Sequence, residues 1–474
     1  MAILAIDQGT TSTRAFVVDD SGEGRVVKAV EHKQYYPHPG WVEHDPEELI
    51  RHIELCINGC TTLDAIGIDN QGESCLAWNS ETKKAISPVI VWQDSRTEPV
   101  IESLKNTSAR ERVLERAGLP LDSYFPAAKF GWILQNVPEA QDLLSTGKLR
   151  FGTTDAFFLD RLTGRFVTDI STASRTSLMN LQTGRWDQDL CDLFGVPMET
   201  LPEICPTTTD FGTIDVHGKR IPVTASVVDQ QAALYGHGCR ESGDVKITFG
   251  TGAFVMVVTG DTIYQAADKG LLPTVAWQKH GEKPVYALDG GVFSAASAIN
   301  WAKSLGLFAH FDQINSFDQS DSPAIARDLV FVPALTGLGC PYWDRKAGGT
   351  WVGLTLDATA MDLVQSILEG IAFRAAEVIE TMHRFVPIRD EISIDGGLSA
   401  NPYFCQFLAG VLDREVIVQS TAELTALGTA ELAAGGKGVC VQDKDVKRYE
   451  PRTEGLKYMD RFKEAVSRSQ NWRR

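Results

Sequence analysis

A short apolar run, Ile3-Leu4-Ala5-Ile6, opens directly into Asp7-Gln8-Gly9-Thr10-Thr11-Ser12-Thr13-Arg14. About half a chain later the pattern returns. Val245-Lys246-Ile247-Thr248-Phe249 ends in Gly250-Thr251-Gly252 and resumes as Ala253 to Val258. Each stretch reads as strand, glycine–hydroxyl turn, strand. Glycine tolerates backbone angles that other residues avoid, and its missing side chain lets a ligand come close. Backbone N–H groups and Thr/Ser hydroxyls then converge on one small volume, a geometry that can cradle phosphate oxygens. Asp7, at the end of its strand, stands where a carboxylate can hold Mg²⁺ beside such phosphates. One such stretch is equally well an ordinary hairpin turn with a polar rim. Its recurrence is what constrains the fold.

At 474 residues the chain is too long for one core, which predicts two domains or more. The string Tyr-Gly-His-Gly-Cys-Arg-Glu-Ser, residues 235–242, lacks strong periodicity. It divides the chain into residues 1–236 and 237–474. A net charge of −17 argues against a nucleic-acid or anionic-membrane surface, since both reward basic patches. It says little about an anionic nucleotide, which local N–H groups and Mg²⁺ can hold. The nine cysteines are scattered with no C-x-x-C pair, and predict reduced thiols in a cytoplasmic protein and not disulfides or zinc. No signal peptide precedes the first strand, and no apolar run approaches a membrane span. Neither the P-loop pattern nor a dinucleotide fingerprint is present.

In chain order, Ala15 to Val18 and Val26 to Ala29 predict an antiparallel hairpin around Asp19-Asp20-Ser21-Gly22. Asp45 reads as an N-cap with Pro46 at the first helical position, and Leu49, Ile53 and Ile57 line one helix face. Strand Ala65 to Ile68 ends at Asp69-Asn70-Gln71-Gly72-Glu73, and Val89 to Val91 ends at Trp92-Gln93-Asp94-Ser95-Arg96. Ligand groups gather where strands of open α/β sheets end, so these tips are pocket candidates, or else ordinary polar loops. Tyr124 to Asn136 reads as a loop feeding an amphipathic helix. Val223 to Val228 meets Asp229-Gln230-Gln231-Ala232-Ala233-Leu234, where Asp229 is either a helix cap or a catalytic acid or base. Further on, Val285 to Leu288 leads into Asp289-Gly290-Gly291, and a helix from Ser294 carries Ile299 and Trp301. Asp362 to Phe385 predicts a long helix with Leu363, Ile367, Ile371, Val378 and Met382 on its buried face. Ile392 to Ile394 runs into Asp395-Gly396-Gly397-Leu398-Ser399-Ala400-Asn401-Pro402, and a helix from Ala422 to Ala434 stops at Gly435-Gly436.

Two glycine–hydroxyl turns facing each other across a cleft resemble the layout of the actin, Hsp70 and sugar-kinase ATPases. The turn after Ile394 resembles the adenosine-binding turn of that superfamily. Further motifs narrow the resemblance. Tyr124 to Asn136, with Lys129 and Trp132, resembles the first signature of the FGGY carbohydrate kinases. Gly349 to Leu354 with Asp362 to Glu369 resembles the second. Asp7 to Ser12, Asp229 to Leu234, Phe249 to Gly252 and Gly337 to Trp343 also match, in the same chain order. The chain therefore resembles that family from Ile3 to about Gly436, and within it most closely the glycerol kinases.

The resemblance implies an α/β fold of two actin-like (ribonuclease H-like) domains with a catalytic cleft between them. The N-terminal one would hold a polyol and the C-terminal one ATP. It implies Asp229 as general base, with Tyr124, Gln230 and Glu73 as hydroxyl ligands and Trp92 and Phe254 as an apolar wall. Thr10, Thr11, Ser12, Arg14 and Thr251 would contact phosphates, Gly290, Gly397 and Asn401 the ribose and base, and Asp7 Mg²⁺, through water. It also implies a homo-oligomer, a dimer or tetramer.

The pattern departs at one place. Glycerol kinases carry Asn-Gln-Arg-Glu where this chain has Asn70-Gln71-Gly72-Glu73. That arginine donates to glycerol's terminal hydroxyls, so Gly72 predicts a roomier pocket that suits a four- or five-carbon polyol or ketose. Arg96 is the alternative cation. The stretch Phe211 to Gly218 lacks the glycine-rich loop of family members inhibited by fructose 1,6-bisphosphate. A different class, an ATP-driven binding or scaffold protein on the actin or Hsp70 fold, would need a peptide-binding domain, and only about 40 residues follow Gly435.

Overall fold

The computed structural model describes residues 2–19, 22–60, 62–318, 322–419, 421, 423–435, 446–452 and 455–473. Asp20 and Ser21 of the first hairpin turn, Ala422 and Gly436 around the last predicted helix, and Cys440 lie outside these.

Two mixed sheets are built on one plan. In the first, strands follow the order Thr213–Val216, Lys219–Val228, Ala65–Asn70, Ile3–Gln8, Ser12–Val18 and Gly24–Glu31. Its three neighbouring interior strands Lys219–Val228, Ala65–Asn70 and Ile3–Gln8 run parallel, and the others pair antiparallel. In the second, the order is Leu271–Trp277, Val285–Val292, Ala253–Gly260, Val245–Phe249, Glu391–Gly396, Glu415–Val418 and Lys447–Tyr449. There Val245–Phe249, Glu391–Gly396 and Glu415–Val418 are the parallel strands. Both sheets therefore place a glycine turn and its hairpin beside parallel strands. Ile3 to Ile6 is buried without interruption, as expected for a strand covered on both faces.

Two helices, Asp229–Gly236 and Leu424–Ala433, cross in the space between the sheets. Their backbones touch. A Cβ on Gly236 would lie 1.9 Å from the Leu424 carbonyl oxygen, and one on Gly428 1.9 Å from that of Ala232. Around this crossing a core takes Ala5 and Val227 from the first sheet, Met256 and Val258 from the second, and Leu427 and Ala430 from the helix. The Thr429 hydroxyl, on the same helix, donates to Asp69 Oδ2 at 2.7 Å. The two sheets are thus joined through packed apolar surface and not through a linker alone.

Helix Pro46–Asn58 starts as expected, with the Asp45 side chain accepting from the Glu47 N–H at 2.9 Å. The long helix Ala360–His383 buries Ile367, Ile371, Val378 and Met382, while Leu363 is half-buried. It also buries Gln365, Glu369, Arg374 and Glu377, which a one-faced reading does not anticipate. The reason is that it is covered on more than one side. Arg374 donates to the Cys340 carbonyl and the Tyr342 hydroxyl donates to Glu377, so the loop from Thr336 to Trp343 lies against it. Glu369 accepts from Ala324 N, Ile325 N and the Tyr403 hydroxyl. Thr213–Val216 forms an edge hairpin with Lys219–Val228, so the stretch from Phe211 to Gly218 is part of the first sheet. Cys56, Cys60, Cys75, Cys191, Cys205, Cys239, Cys340 and Cys405 are free and buried. Among the described residues no helix is long and apolar enough to cross a membrane.

Candidate active site

Strand register assembles the site. Gln8 pairs with Asn70, and Asn70 with Val228, so three parallel strands end together. Their exits, Gly9–Ser12, Gln71–Glu73 and Asp229–Gln230, share one edge of the first sheet. In the second sheet Phe249 pairs with Gly396, which sets Gly250–Gly252 beside the turn Gly397–Ala400. The expected glycine geometry is revised here. Gly9 has no positive φ, and a Cβ there would meet nothing closer than 3.6 Å. Neither backbone angle nor crowding within the chain requires glycine at that position. Gly396 does need to be glycine: its φ is +89° and a Cβ would lie 2.3 Å from the Phe249 carbonyl oxygen, and a Cβ on Gly252 would lie 2.6 Å from that of Val292.

Both turns are held from behind. Gly9 N–H closes on Ser12 O at 3.0 Å, and the Thr10 carbonyl contacts His32 Nε2 at 3.0 Å. The carbonyls of Gly250 and Thr251 accept from Ala296 N at 3.0 Å, and from Ala295 N and Ser297 N at 2.9 and 3.1 Å. The Thr251 side chain is left exposed.

A cavity of about 140 Å³ brings Thr10, Glu73, Trp92, Tyr124, Asp229, Gln230 and Phe254 together. A second, of about 510 Å³, is lined by Thr251, Gly252 and Gly291 among others. The two share Trp92, Tyr124, Arg175, Phe254 and Asp289, so they adjoin. Trp92 and Tyr124 pack edge to face at 5.6 Å, and the Trp92 Nε1–H donates to the Thr10 hydroxyl at 3.1 Å. Lys129, fully buried, donates to the carbonyls of Val91 and Tyr124 at 3.0 Å each and so staples both wall loops.

Asp229 opens helix Asp229–Gly236, whose cap position is Val228 with no side-chain capping bond. Of its two readings, the cap is therefore the weaker. Burial pushes its carboxyl up to about 7, and the charges of Glu73 and Asp7 push the same way. The Gln230 N–H, donating at 2.6 Å, and the Lys246 ammonium oppose them. A carboxylate titrating near neutral pH is suited to taking up a proton. Asp7 faces Asp69 across paired strands. Burial raises both carboxyls, Asp69 the more, and Asp69 also feels the Asp7 charge. Asp69 Oδ1 is buried without a hydrogen-bond partner among the described residues. Two carboxylates and no soft ligand are a donor set for a hard cation such as Mg²⁺. No group of three such side chains among the described residues could cage a metal alone, so a cation there would draw further oxygens from water and phosphate.

Several expected site residues are engaged elsewhere. Arg96 is buried against Asp94 and Glu43, at 2.7 Å each, and stacked on Trp41 at 3.8 Å. It lines neither cavity and is not the alternative cation. Arg14 Nη1 pairs with Glu423 at 3.1 Å. Gly290 is packed where a Cβ would press Val378 and Leu271, whereas its neighbour Gly291 faces open space. Asn401 caps helix Pro402–Leu412 through the Phe404 N–H and donates to Ile314 O, which occupies its amide. Gly397 is exposed with open space beside it. Sequence reasoning missed Arg175, Asp289 and Lys246. Each is a lone charge in an otherwise buried segment, and that is the only local sign they give.

Comparison with known proteins adds to this geometry. Residues 2–236 match the N-terminal domain, and residues 245–436 the C-terminal domain, of the FGGY family of carbohydrate kinases. The chain is 39% identical to glycerol kinase of Bdellovibrio bacteriovorus, covering 99% of this chain and 97% of that one. It is 38% identical to glycerol kinase of Haloferax volcanii, over 99% and 98%. Its structure is similar to that of Plasmodium falciparum glycerol kinase with ADP, with a TM-score of 0.93 at 28% identity over 99% and 98% of the two chains.

Proposed function

The chain belongs to the FGGY family of carbohydrate kinases, and on that footing we propose that it transfers the γ-phosphoryl group of ATP to a hydroxyl of glycerol or a related small polyol, with Asp229 as general base. Residues 1–236 carry the polyol and residues 237–474 the nucleotide. Glu73, Tyr124 and Gln230 orient the acceptor by hydrogen bonds, and Trp92 and Phe254 pack on its carbons. Asp229 takes the proton of the attacking hydroxyl as the new P–O bond forms. Holding acceptor and donor in line removes much of the entropic barrier. Thr10, Thr11 and Ser12 on one side and Thr251 on the other donate to the phosphates. Asp7, beside Asp69, would hold Mg²⁺, which when bound neutralises charge on the transferring group.

The observation that carries this reading is Asp229. A carboxyl lifted to about 7 shares a cavity with Thr10 of the first glycine turn and with Glu73 and Gln230. The test is a coupled ADP-release assay with ATP, Mg²⁺ and a panel of three- to five-carbon polyols and ketoses. ADP release that depends on a polyol, with a phosphorylated product, is expected. Hydrolysis independent of any polyol and without such a product would overturn it in favour of an ATP-driven binding protein.

A further inference from the structure

Arg175 lies just past the single helical turn Ile170–Ala173, in a run of small residues, and is only 4% exposed. Its Nε donates to Glu73 Oε1 at 2.6 Å and its Nη2 to Asp289 Oδ2 at 3.3 Å. Glu73 follows a strand of the first sheet, and Asp289 belongs to strand Val285–Val292 of the second. The guanidinium therefore spans both walls of the cleft, and it lines both cavities. Its Nη1 is buried with no hydrogen-bond partner among the described residues. A buried donor of this kind is costly until an acceptor meets it.

The chemistry of that acceptor follows from the charges around it. Glu73 and Asp289 already balance the guanidinium, and Asp229 lies in the same cavity. A carboxylate on the substrate would add further negative charge to this group. A hydroxyl supplies lone pairs to Arg175 and a proton to Asp289 and adds no charge. Gly72, next to Glu73, has no side chain to compete for that role.

We propose that Arg175 and Asp289 form a distal hydroxyl subsite for a neutral polyol. The substrate's reacting end lies at Asp229, its chain passes Glu73, and the hydroxyl farthest from the reacting carbon is read by Arg175 and Asp289. This rests on the kinase reading above.

The test is steady-state kinetics on the full-length enzyme and Arg175→Met. The substrates are the best polyol of the panel, its analogue lacking the hydroxyl farthest from the reacting carbon, and the matching polyol carboxylate. For glycerol the analogue is 1,2-propanediol and the carboxylate glycerate. The wild type should prefer the intact polyol at least tenfold in kcat/KM over either. Arg175→Met should lose at least tenfold on the intact polyol but less than threefold on the deoxy analogue, with ADP affinity by calorimetry unchanged within twofold. An equal loss on both, which a mere support for Glu73 predicts, overturns the subsite, as does a wild type indifferent to the distal hydroxyl. If Arg175→Met fails to bind ADP, Asp289→Asn carries the comparison, with the same collapse of preference expected and an unchanged preference overturning the subsite. A wild type that turns over no polyol overturns the kinase reading and this subsite together, so the two failures are told apart.

Discussion

Lys246 Nζ donates to Gln230 Oε1 at 2.6 Å, and to the Thr248 hydroxyl at 3.0 Å. A fully buried lysine of the second sheet thus holds the residue next to Asp229, which directly follows strand Lys219–Val228 of the first sheet. The bond fixes which end of the Gln230 amide faces the ammonium and leaves its N–H₂ for the cavity. The Lys246 charge also opposes the upward push on the Asp229 carboxyl. Lys246→Met should therefore raise the polyol KM about tenfold, in line with the roughly 1–3 kcal/mol cost of an unsatisfied buried acceptor. It should also move the acid limb of the pH profile to higher pH. An unchanged limb would mean that Lys246 acts on packing alone.

Asp229→Asn removes the proton acceptor and keeps the shape. General-base catalysis contributes about 10²–10⁴-fold, roughly 3–5 kcal/mol of barrier. A loss of that order in kcat is expected, with ADP affinity by calorimetry little changed. A variant that keeps more than about a tenth of wild-type kcat would reduce Asp229 to a structural residue.

The same residue sets a pH dependence. Its carboxyl is raised to about 7, and the base is active only when deprotonated. Activity should be present above that pH and fall as the pH drops through it, tenfold per unit at the limit. A kcat/KM profile from pH 5 to 9 shows this as a single acid limb, and in Asp229→Asn the limb should vanish. A limb that survives the substitution belongs to another group.

Thr251→Val trades an exposed hydroxyl beside Gly252 for a methyl of similar size. The backbone bonds that tie its loop to Ala295 and Ser297 use the carbonyl and remain. ATP and ADP should bind more weakly while the polyol KM stays within about twofold. A change confined to the polyol would place this turn on the wrong ligand.

Gly72→Arg restores a donor beside Glu73. A Cβ at Gly72 would lie 3.3 Å from Val228 Cγ1, a tight but not prohibitive contact. A hydrogen bond from a charged group contributes about 1.5–3 kcal/mol, so glycerol should gain about tenfold or more in kcat/KM relative to four- and five-carbon polyols. An unchanged ranking, with glycerol already first by tenfold, would end the enlarged-pocket idea.

The sequence by itself determined the parts that are local. An apolar run that gives way to glycine flanked by hydroxyl residues favours a turn, so both strand–turn–strand units and the Asp45 cap are legible from a few adjacent residues. The strand tips could be named as well, because a chain leaving a buried strand turns polar. Which tip residues face the cavity was decided only in three dimensions. Arg96 turned from it because Trp41 and Asp94 hold its guanidinium, and Trp92, four residues earlier, stayed. Gly290 and Gly291 differ by one step, and in a strand one step reverses the face. Arg175 meets Glu73 across 102 residues and Asp289 across 114. No window of sequence holds both ends of such a contact. It exists because two sheets pack through a crossing of helices at Gly236 and Gly428, and that packing, not the local propensity of any segment, brings the three charges together.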